Sequence, residues 1–337
     1  MKDRFEDHFY IGTAINRNQI LENDESVNAL LVKEFNSITP ENVMKSQNIH
    51  PEIGRYNFDL PDAYVALGQK NGMYIQGHTL IWHSQLSSFF KAINEKEEMQ
   101  AAMREHISTI VERYKGHIDG WDVVNEALNE DGTLRESVFL QAVGPEYLVQ
   151  AFKIAEKADP EAELFYNDYN MCVPAKREGA IKLIKMLQDG GAKIDGIGMQ
   201  GHWHLNSPSL EEIEKSIVSY GELGLKVAIT ELDISVLPNP KNQNGADINQ
   251  NFEAKEELDP YTEGLPEEVQ EALAKRYADI FALFLKHDDI VSRITFWGIS
   301  DKDTWLNNFP VRGRTNYPLL FDRELNPKKA YSAILKL

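Results

Sequence analysis

Short apolar segments alternate with longer amphipathic segments along most of the 337-residue chain. The short segments are rich in Val, Ile, Phe and Tyr and have the length of buried parallel strands. We predict eight of them, at Phe9–Ile15, Ser37–Glu41, Tyr74–Trp82, Gly120–Ala127, Glu163–Asn167, Gly196–Gly201, Lys226–Asp233 and Ile294–Ile299.

In the longer segments, apolar residues recur every three to four positions, as expected of helices packed against a sheet. One segment runs from Ser209 to Tyr220, and its Ser209–Glu212 pair predicts a capping box. Its apolar face comprises Leu210, Ile213, Ile217 and Tyr220. Another runs from about Pro266 to His287, with a proline near its start and an apolar stripe of Val269, Leu273, Tyr277, Ile280 and Phe284.

Eight strands alternating with helices predict an α/β protein, a single (β/α)8 TIM barrel over residues 1–337, with a doubly wound open sheet as the alternative. No glycine-rich phosphate loop follows the first strand, which favours the barrel. The least regular segment, residues 237–266, follows the seventh predicted strand and is rich in Asn, Pro, Gly, Asp and Glu. In a barrel this segment would be a long loop on the face formed by the carboxyl ends of the strands. It is either a lid or wall of a cleft on that face or a solvated insertion.

Two glutamates follow apolar runs in which a carboxylate is costly to bury. Glu126 follows the run GWDVVN, and Glu231 follows KVAIT. A buried carboxylate is unfavourable unless a partner or a function retains it. Retaining glycoside hydrolysis needs two such groups, one as acid/base and the other as nucleophile. The pair therefore predicts a retaining glycosidase.

Polar and aromatic residues concentrate at the carboxyl ends of the predicted strands, which in a barrel converge on the active-site face. Indole rings stack on pyranose rings, and amide, imidazole and ammonium groups bond sugar hydroxyls. We therefore expect a sugar-binding cleft. The residues concerned are Glu41, Asn42, Lys45, His78, Trp82, His83, Gln85, Asn125, Asn167, Asp168, Tyr169, Asn170, Gln200, His202, His204, Asp233, Trp297, Asp301 and Trp305.

The alternative of a metal site rests on two close histidine pairs, His78 with His83 and His202 with His204. No His-x-His follows the first predicted strand, where metal-dependent barrel hydrolases often carry one. We therefore predict neither a metal nor a cofactor.

The formal net charge of −18 argues against nucleic acid and anionic membrane surfaces as partners, because both favour a basic face. A neutral polysaccharide would be indifferent to this charge.

The sequence has no signal-like start and no apolar stretch of membrane-spanning length. Its single cysteine, Cys172, fits a reducing compartment, so we expect a cytoplasmic location. The pattern does not indicate an oligomeric state.

Four segments together resemble glycoside hydrolase family 10, the endo-β-1,4-xylanases. They are GHTLIWHSQ (77–85), WDVVNEA (121–127), ITELD (229–233) and WGISD (297–301). They occur in the family's order, and the similarity extends from about Phe9 to Tyr331. The resemblance implies a TIM barrel that cleaves xylan fragments and xylo-oligosaccharides with retention of configuration.

Matching positions imply that Glu126 is the acid/base and Glu231 the nucleophile. They also imply that Asn125 bonds the 2-hydroxyl of the sugar being cleaved and that His202 holds Glu231. The other matching residues are implied to bind sugar. The cleavage subsite is shaped by His78, Trp82 and Gln200, and the xylose units on its non-reducing side are bound by Glu41, Asn42, Lys45 and Gln85. Stacking against these xylose units is implied for Trp297 and Trp305, and contact with the leaving-group side for Tyr169.

The two carboxyl groups must hold opposite ionisation states at one pH, so their environments must separate their pKa values. We expect a hydrogen bond from His202 to favour ionised Glu231, and the charge of Glu231 to raise the pKa of Glu126. The expected distance between the two carboxyl groups is about 5–5.5 Å, as in retaining enzymes.

Other functions compete with this hypothesis. An inactive sugar-binding barrel would keep the tryptophans without needing both glutamates. A β-1,4-glucanase or an aryl-β-glucosidase would share the catalytic pair and differ in whether groups such as Trp305 exclude the hydroxymethyl arm of glucose. Because xylan is too large to enter a cell, a cytoplasmic location predicts short imported xylo-oligosaccharides, some with acidic side groups, and a loop at 237–266 that reshapes the cleft for them.

Overall fold

The computed structural model describes residues 1–241, 243, 246–248, 250 and 252–337. Nine strands lie within these residues: β1 Tyr10–Ile15, β2 Ser37–Pro40, β3 Tyr74–Trp82, β4 Gly120–Asn125, β5 Glu163–Asp168, β6 Gly196–Met199, β7 His202–His204, β8 Lys226–Ser235 and β9 Val291–Phe296.

The strands are separated by α-helices, most of which connect one strand to the next. The described residues form α1 Arg17–Ile20, α2 Glu25–Glu34, α3 Ser46–Ile49, α4 Asp59–Lys70, α5 Ser88–Ala92, α6 Lys96–Arg113, α7 Val138–Val143, α8 Glu146–Ala158, α9 Pro174–Asp189, α10 Leu210–Gly221, α11 Glu267–Lys286 and α12 Lys329–Ile334. Short 3-10 helices lie at Lys2–Arg4, Glu256–Leu258 and Trp305–Asn307.

Eight of the strands close into a parallel barrel. Their order is β6-β5-β4-β3-β2-β1-β9-β8, and a parallel pairing between β6 and β8 completes the ring. The predicted (β/α)8 barrel is therefore confirmed. The open-sheet alternative is wrong, because every one of these eight strands pairs on both sides and the ring that they form has no open edge.

The ninth strand is a short addition that is not among the eight predicted strands. β7 pairs with the far end of β8, where His202 lies opposite Asp233. This pairing extends β8 to Ser235, two residues beyond its predicted end at Asp233. The pairing matters for function because it brings the His202 side chain beside Glu231.

The predicted bounds of the other strands differ by a few residues. β4 ends at Asn125 and not at Ala127, because Glu126 has a φ of 56°, which is incompatible with extended backbone. The last strand lies three residues before its predicted position, since Tyr10 of β1 pairs with Arg293. Gly298, with a φ of 133°, turns the chain away after that strand.

The two predicted helices are present, with one correction. α10 begins after Ser209, whose hydroxyl accepts a hydrogen bond from the Glu212 amide at 3.2 Å. Its predicted apolar face is buried except for Leu210, which stays 36% exposed in the first turn. α11 follows Pro266, and its apolar stripe packs on the barrel. Within the described part of the chain, none of the helices is both long and apolar enough to cross a membrane.

Some described residues of the segment 237–266 are attached to the rest of the protein. Leu237, Ala246 and Leu258 are buried. The Arg314 guanidinium donates to the carbonyls of Pro238 at 3.1 Å and Leu258 at 3.5 Å, which ties together two distant points of the segment. Other described residues of the segment, among them 253–257, are exposed, so the lid and the solvated insertion both stay predictions.

Candidate active site

A single cleft of about 140 Å³ lies at the carboxyl ends of the barrel strands. It gathers thirteen of the fourteen residues predicted for the site: Glu41, Asn42, Lys45, His78, Trp82, Gln85, Asn125, Glu126, Gln200, His202, Glu231, Trp297 and Trp305. Parallel strands produce this convergence because all of their carboxyl ends meet on one face.

The loop after β8 also lines the cleft. Ala246 and Ile248 belong to its wall, and we did not predict either of them. Nothing in the residue types Ala and Ile marks a substrate-binding position. Only the place of this loop, directly after the strand that carries Glu231, could have indicated that it lines the cleft.

Glu126 is held by two side chains that donate to its carboxyl group. Trp82 Nε1 lies 2.8 Å from one oxygen and Gln200 Nε2 lies 3.0 Å from the other. The residue is 6% exposed. Its left-handed backbone, with a φ of 56°, costs of order 1–3 kcal/mol for a residue with a side chain. Such a conformation persists only where neighbouring groups impose it.

The surroundings of Glu126 raise its pKa to about 7. Burial is the main cause, because the ionised form loses its hydration, and the charge of Asp168 is the second. Glu231 contributes a smaller increase, in the direction expected from the sequence. Near neutral pH a large part of this carboxyl population carries a proton.

Glu231 has the opposite environment. Asn167 Nδ2 donates to one oxygen at 2.9 Å, and His202 Nε2 lies 3.2 Å from the other. Burial by itself would raise the pKa of Glu231, yet the hydrogen bond from His202 and other favourable interactions lower it below its usual value. Glu231 is therefore an ionised acceptor, as expected.

His202 connects Glu231 to a second carboxylate. Its Nδ1 lies 3.0 Å from Asp233. Burial favours the neutral ring, but Asp233 and Glu231 outweigh it and raise the pKa of His202 to about 10. The imidazolium can therefore donate from Nε2 to Glu231 and form an ion pair with Asp233 on its Nδ1 side. Asp233 also accepts from Trp305 Nε1 at 2.8 Å, so it fixes both the histidine and an indole of the cleft wall.

One side of the cleft carries a connected set of polar groups. Lys45 Nζ donates to Gln85 at 2.8 Å and to Asn42 at 3.1 Å, and Asn42 donates to Glu41 at 3.0 Å. Burial lowers the pKa of Lys45, although neighbouring carboxylates oppose this effect. The Trp82 ring lies 4.9 Å from the ammonium group. These contacts hold donors and acceptors in place before any ligand enters.

Two further residues, Asp122, which we had not predicted, and Asn167, which we had expected in the cleft without a specific role, support the side chains that line it. Asp122 accepts from Gln76 at 2.8 Å and contacts His78 Nδ1 at 2.8 Å, which orients that imidazole. Asn167 contacts both Asn125 and Glu231 at 2.9 Å. Asp122 is a charged residue inside an apolar strand run, which was a usable signal. For Asn167 the signal was its place at the end of β5.

Of the fourteen residues that the family resemblance implies, Tyr169 is the one that does not line the cleft. It is 1% exposed, and its hydroxyl accepts from Arg135 Nη2 at 2.7 Å. The next residue, Asn170, lines a second cavity of about 220 Å³. This second cavity shares His202, Trp305 and Ala246 with the cleft, and it contains His204 and Arg314. The leaving-group role of Tyr169 stays a prediction.

The histidines considered for a metal site are spread over different contacts. His78 pairs with Asp122, His202 pairs with two carboxylates, and His204 contacts the Asn239 amide at 2.9 Å. In the part of the chain that the structure describes, no three His, Cys, Asp or Glu side chains are grouped as metal ligands.

Comparison with known proteins gives a consistent result along the whole chain. The family model "Glycosyl hydrolase family 10" matches residues 1–337. An endo-1,4-beta-xylanase A of Xylanibacter ruminicola is 42% identical over 100% of this chain and 93% of its own length. An endo-1,4-beta-xylanase of Geobacillus stearothermophilus is 40% identical over 100% of this chain and 98% of its own.

Solved structures of xylanases also match this chain over nearly its whole length. A GH10 endoxylanase retrieved from a sugarcane soil metagenome superposes with a TM-score of 0.96 at 44% identity, covering 99% of each chain. A xylanase of Paenibacillus barcinonensis, complexed with a conduramine derivative, superposes with a TM-score of 0.90 at 38% identity, covering 99% of this chain and 97% of its own.

The opposite displacement of the two pKa values can be measured directly. In protein labelled with ¹³C at glutamate carboxyls, we expect Glu126 to titrate near pH 7 and Glu231 below 4.5. The Glu126→Gln and Glu231→Gln variants assign the two signals. Trp82→Phe, which removes one donor to Glu126, should raise the pKa of Glu126 further. Titration of Glu126 at or below 4.5 would contradict this description of the site.

Proposed function

The chain belongs to glycosyl hydrolase family 10, and we propose that it is an endo-1,4-β-xylanase acting on xylan fragments and xylo-oligosaccharides with retention of configuration. The observation that carries this proposal is the pair of buried carboxyl groups, Glu126 and Glu231, in one cleft with pKa values moved in opposite directions. A retaining glycosidase needs one proton donor and one ionised nucleophile at the same pH.

In the first step, a Glu231 oxygen attacks the anomeric carbon and the bond from that carbon to the leaving oxygen breaks. Glu126 gives its proton to the leaving oxygen, so the shortened sugar departs as a neutral alcohol and Glu231 is left as a glycosyl ester. The Asn167 and His202 donors hold the attacking carboxylate in place.

In the second step, Glu126 acts as a base. Its carboxylate takes a proton from water, whose oxygen attacks the anomeric carbon from the side that the leaving group vacated. The bond to Glu231 breaks, Glu231 returns to its ionised form, and Glu126 regains its proton. Two inversions at one carbon give overall retention.

The polar wall of the cleft fits the non-reducing part of the substrate. Glu41, Asn42, Lys45 and Gln85 offer both donors and acceptors to sugar hydroxyls, and their mutual contacts keep them in place. The second cavity lies beyond His202 and Trp305 and would receive the sugar units of the leaving group. An elongated chain would then pass over both glutamates, as an internal cleavage requires.

The position of Trp305 favours xylose over glucose. Its indole is bonded to Asp233 and stacks on Phe309 at a centroid distance of 4.4 Å, so it cannot easily swing away. A fixed indole in the cleft wall leaves little room for the extra hydroxymethyl group of glucose. A glucanase with the same catalytic pair is the second candidate, and this contact argues against it.

The loop wall favours short substrates. Ala246 lies in the wall of both cavities, and Ile248 adds an apolar side chain beside the catalytic groups. A wall at this position limits how a long, branched polymer can lie across the cleft, whereas a short oligomer can enter. We therefore propose xylo-oligosaccharides as the preferred substrates; the cytoplasmic location stays a prediction.

The central test is a product time course, followed by NMR, with xylohexaose and cellohexaose. We expect xylohexaose to release shorter xylo-oligosaccharides whose new reducing ends are β-anomers, and cellohexaose to stay intact. Glu231→Ala should abolish turnover, whereas Glu126→Ala should spare substrates whose leaving group departs without a proton. Initial α-anomers would contradict retention, and cleavage of cellohexaose would favour the glucanase.

Substrate length is tested by the ratio of kcat/KM for xylohexaose to that for soluble polymeric xylan, per reducing end formed. We expect the hexamer to be preferred. Ile248→Ala should raise activity on the polymer, by up to about tenfold, because it removes apolar bulk from the wall. Ile53→Ala, at an exposed site remote from the cleft, is the control. A wild-type preference for the polymer would contradict the proposal on length.

A further inference from the structure

A buried ion pair lies behind Glu126 and has no role in the two steps above. Asp168 ends β5, Lys176 lies in α9, and both side chains are fully buried. Asp168 accepts three hydrogen bonds or ion-pair contacts: from Lys176 Nζ at 2.9 Å, the Tyr169 amide at 2.9 Å and the Tyr166 hydroxyl at 2.5 Å. Removing two charges from water is unfavourable unless such contacts compensate for it.

One group bonded to Asp168 reaches the peptide that follows Glu126. The Tyr166 hydroxyl donates to Asp168 and accepts from the Ala127 amide at 3.1 Å. The nitrogen end of the 126–127 peptide is therefore bound to a side chain whose own orientation is set by the ion pair.

The carbonyl end of the same peptide is held by a second path. Arg135 Nε donates to the Glu126 carbonyl at 3.0 Å, and Arg135 Nη2 donates to the Tyr169 hydroxyl at 2.7 Å. The Tyr169 ring in turn packs under the Lys176 ammonium group, 3.7 Å from its centroid. Both ends of one peptide plane are thus connected to the Asp168–Lys176 pair.

This double attachment acts at a residue whose backbone is strained. Glu126 has a φ of 56°, which a residue with a side chain adopts only when its surroundings enforce it. The orientation of the 126–127 peptide determines the direction in which the Glu126 side chain leaves the backbone. Without the attachment, the chain could relax toward an ordinary conformation and turn the carboxyl group away from the leaving oxygen.

We propose that the buried Asp168–Lys176 pair positions the acid/base Glu126. The pair acts through Tyr166 on one path and through Tyr169 and Arg135 on the other, and together these contacts hold the peptide after Glu126 in the orientation that proton transfer requires. Asp168 and Lys176 are therefore positioning residues for the first step. The inference rests on the proposed function, since it assigns Glu126 as the proton donor.

The same pair acts on Glu126 by charge. The negative charge of Asp168 favours the protonated form of Glu126. Burial raises the pKa of Asp168 itself, and Lys176 opposes that effect. The titratable and charged groups that interact with Asp168 come from several elements: Lys176 of α9, Tyr166 and Tyr169 at the end of β5, Glu126 and Arg135 after β4, Tyr147 of α8 and Tyr220 of α10. Glu130 contacts the other member of the pair, Lys176.

A purely structural role would have a different kinetic signature. If the pair only stabilised the fold, its loss would reduce the active fraction equally for every substrate. If the pair positions the proton donor, its removal should lower kcat/KM mainly for substrates whose leaving oxygen needs a proton. Kcat/KM reports the first step alone, so its ratio between two leaving groups separates these cases.

The experiment compares kcat/KM for xylotriose and for 2,4-dinitrophenyl β-xylobioside in wild type, Tyr166→Phe and Lys176→Met. We expect each variant to lose about tenfold or more on xylotriose and less than about threefold on the dinitrophenyl substrate. Tyr166→Phe removes one hydroxyl and keeps the ring, so it preserves the fold if Lys176→Met does not. Tyr64→Phe, which removes a buried hydroxyl bonded to the Ile38 and Gln76 carbonyls, is the matched control and should not change the ratio.

A pH profile adds a readout that packing alone would not move. Asp168→Asn removes a charge that favours protonated Glu126, so the alkaline limb of kcat/KM on xylotriose should move to lower pH. An unmoved limb, or equal losses on both substrates in Tyr166→Phe, would overturn the inference. A wild-type protein without xylanase activity would instead overturn the proposed function. The experiment therefore distinguishes failure of the positioning role from failure of the proposed function.

Discussion

The central constraint in this protein is that two carboxyl groups in one small, buried cleft must be in opposite ionisation states. Burial raises both pKa values, so the two carboxyl groups need neighbours that compensate for burial to different extents. Glu231 receives the Asn167 amide and the His202 imidazolium, which Asp233 keeps charged. Glu126 receives two neutral donors and a nearby negative charge, and its pKa stays high. The difference between the two sets of neighbours is what makes the site chemically asymmetric.

The barrel makes this asymmetry possible because neighbouring strands share side chains. Asn167 on β5 is the clearest example. Its backbone carbonyl accepts the Glu126 amide at 2.8 Å, and its side chain bonds Glu231. The Thr230 hydroxyl, next to Glu231 in β8, donates to the Asn167 amide oxygen at 2.6 Å. One residue therefore links the strand ends that carry the two glutamates, and this link limits how far the carboxyl groups can move apart.

Much of this could be predicted from the sequence, and the parts that could not have a common physical cause. Charged residues in apolar runs revealed Glu126 and Glu231, and strand–helix alternation revealed the barrel. The left-handed backbone of Glu126, the extra strand β7 and the burial of Tyr169 result from tertiary contacts that local patterns do not record. Lys176 is the sharpest case: in sequence it is one more lysine near the start of a helix, and only the fold shows it buried against Asp168.

The most direct measurement is to trap the glycosyl ester with 2,4-dinitrophenyl 2-deoxy-2-fluoro-β-xylobioside and locate it by mass spectrometry. The fluorine slows both steps, and the good leaving group lets the first step proceed, so the covalent species accumulates. We predict a mass increase of one fluoroxylobiosyl group per chain, on the peptide that contains Glu231, and no adduct in Glu231→Ala. An adduct on Glu126 or on another residue, or inactivation without any adduct, would contradict the assignment of the two carboxyl groups.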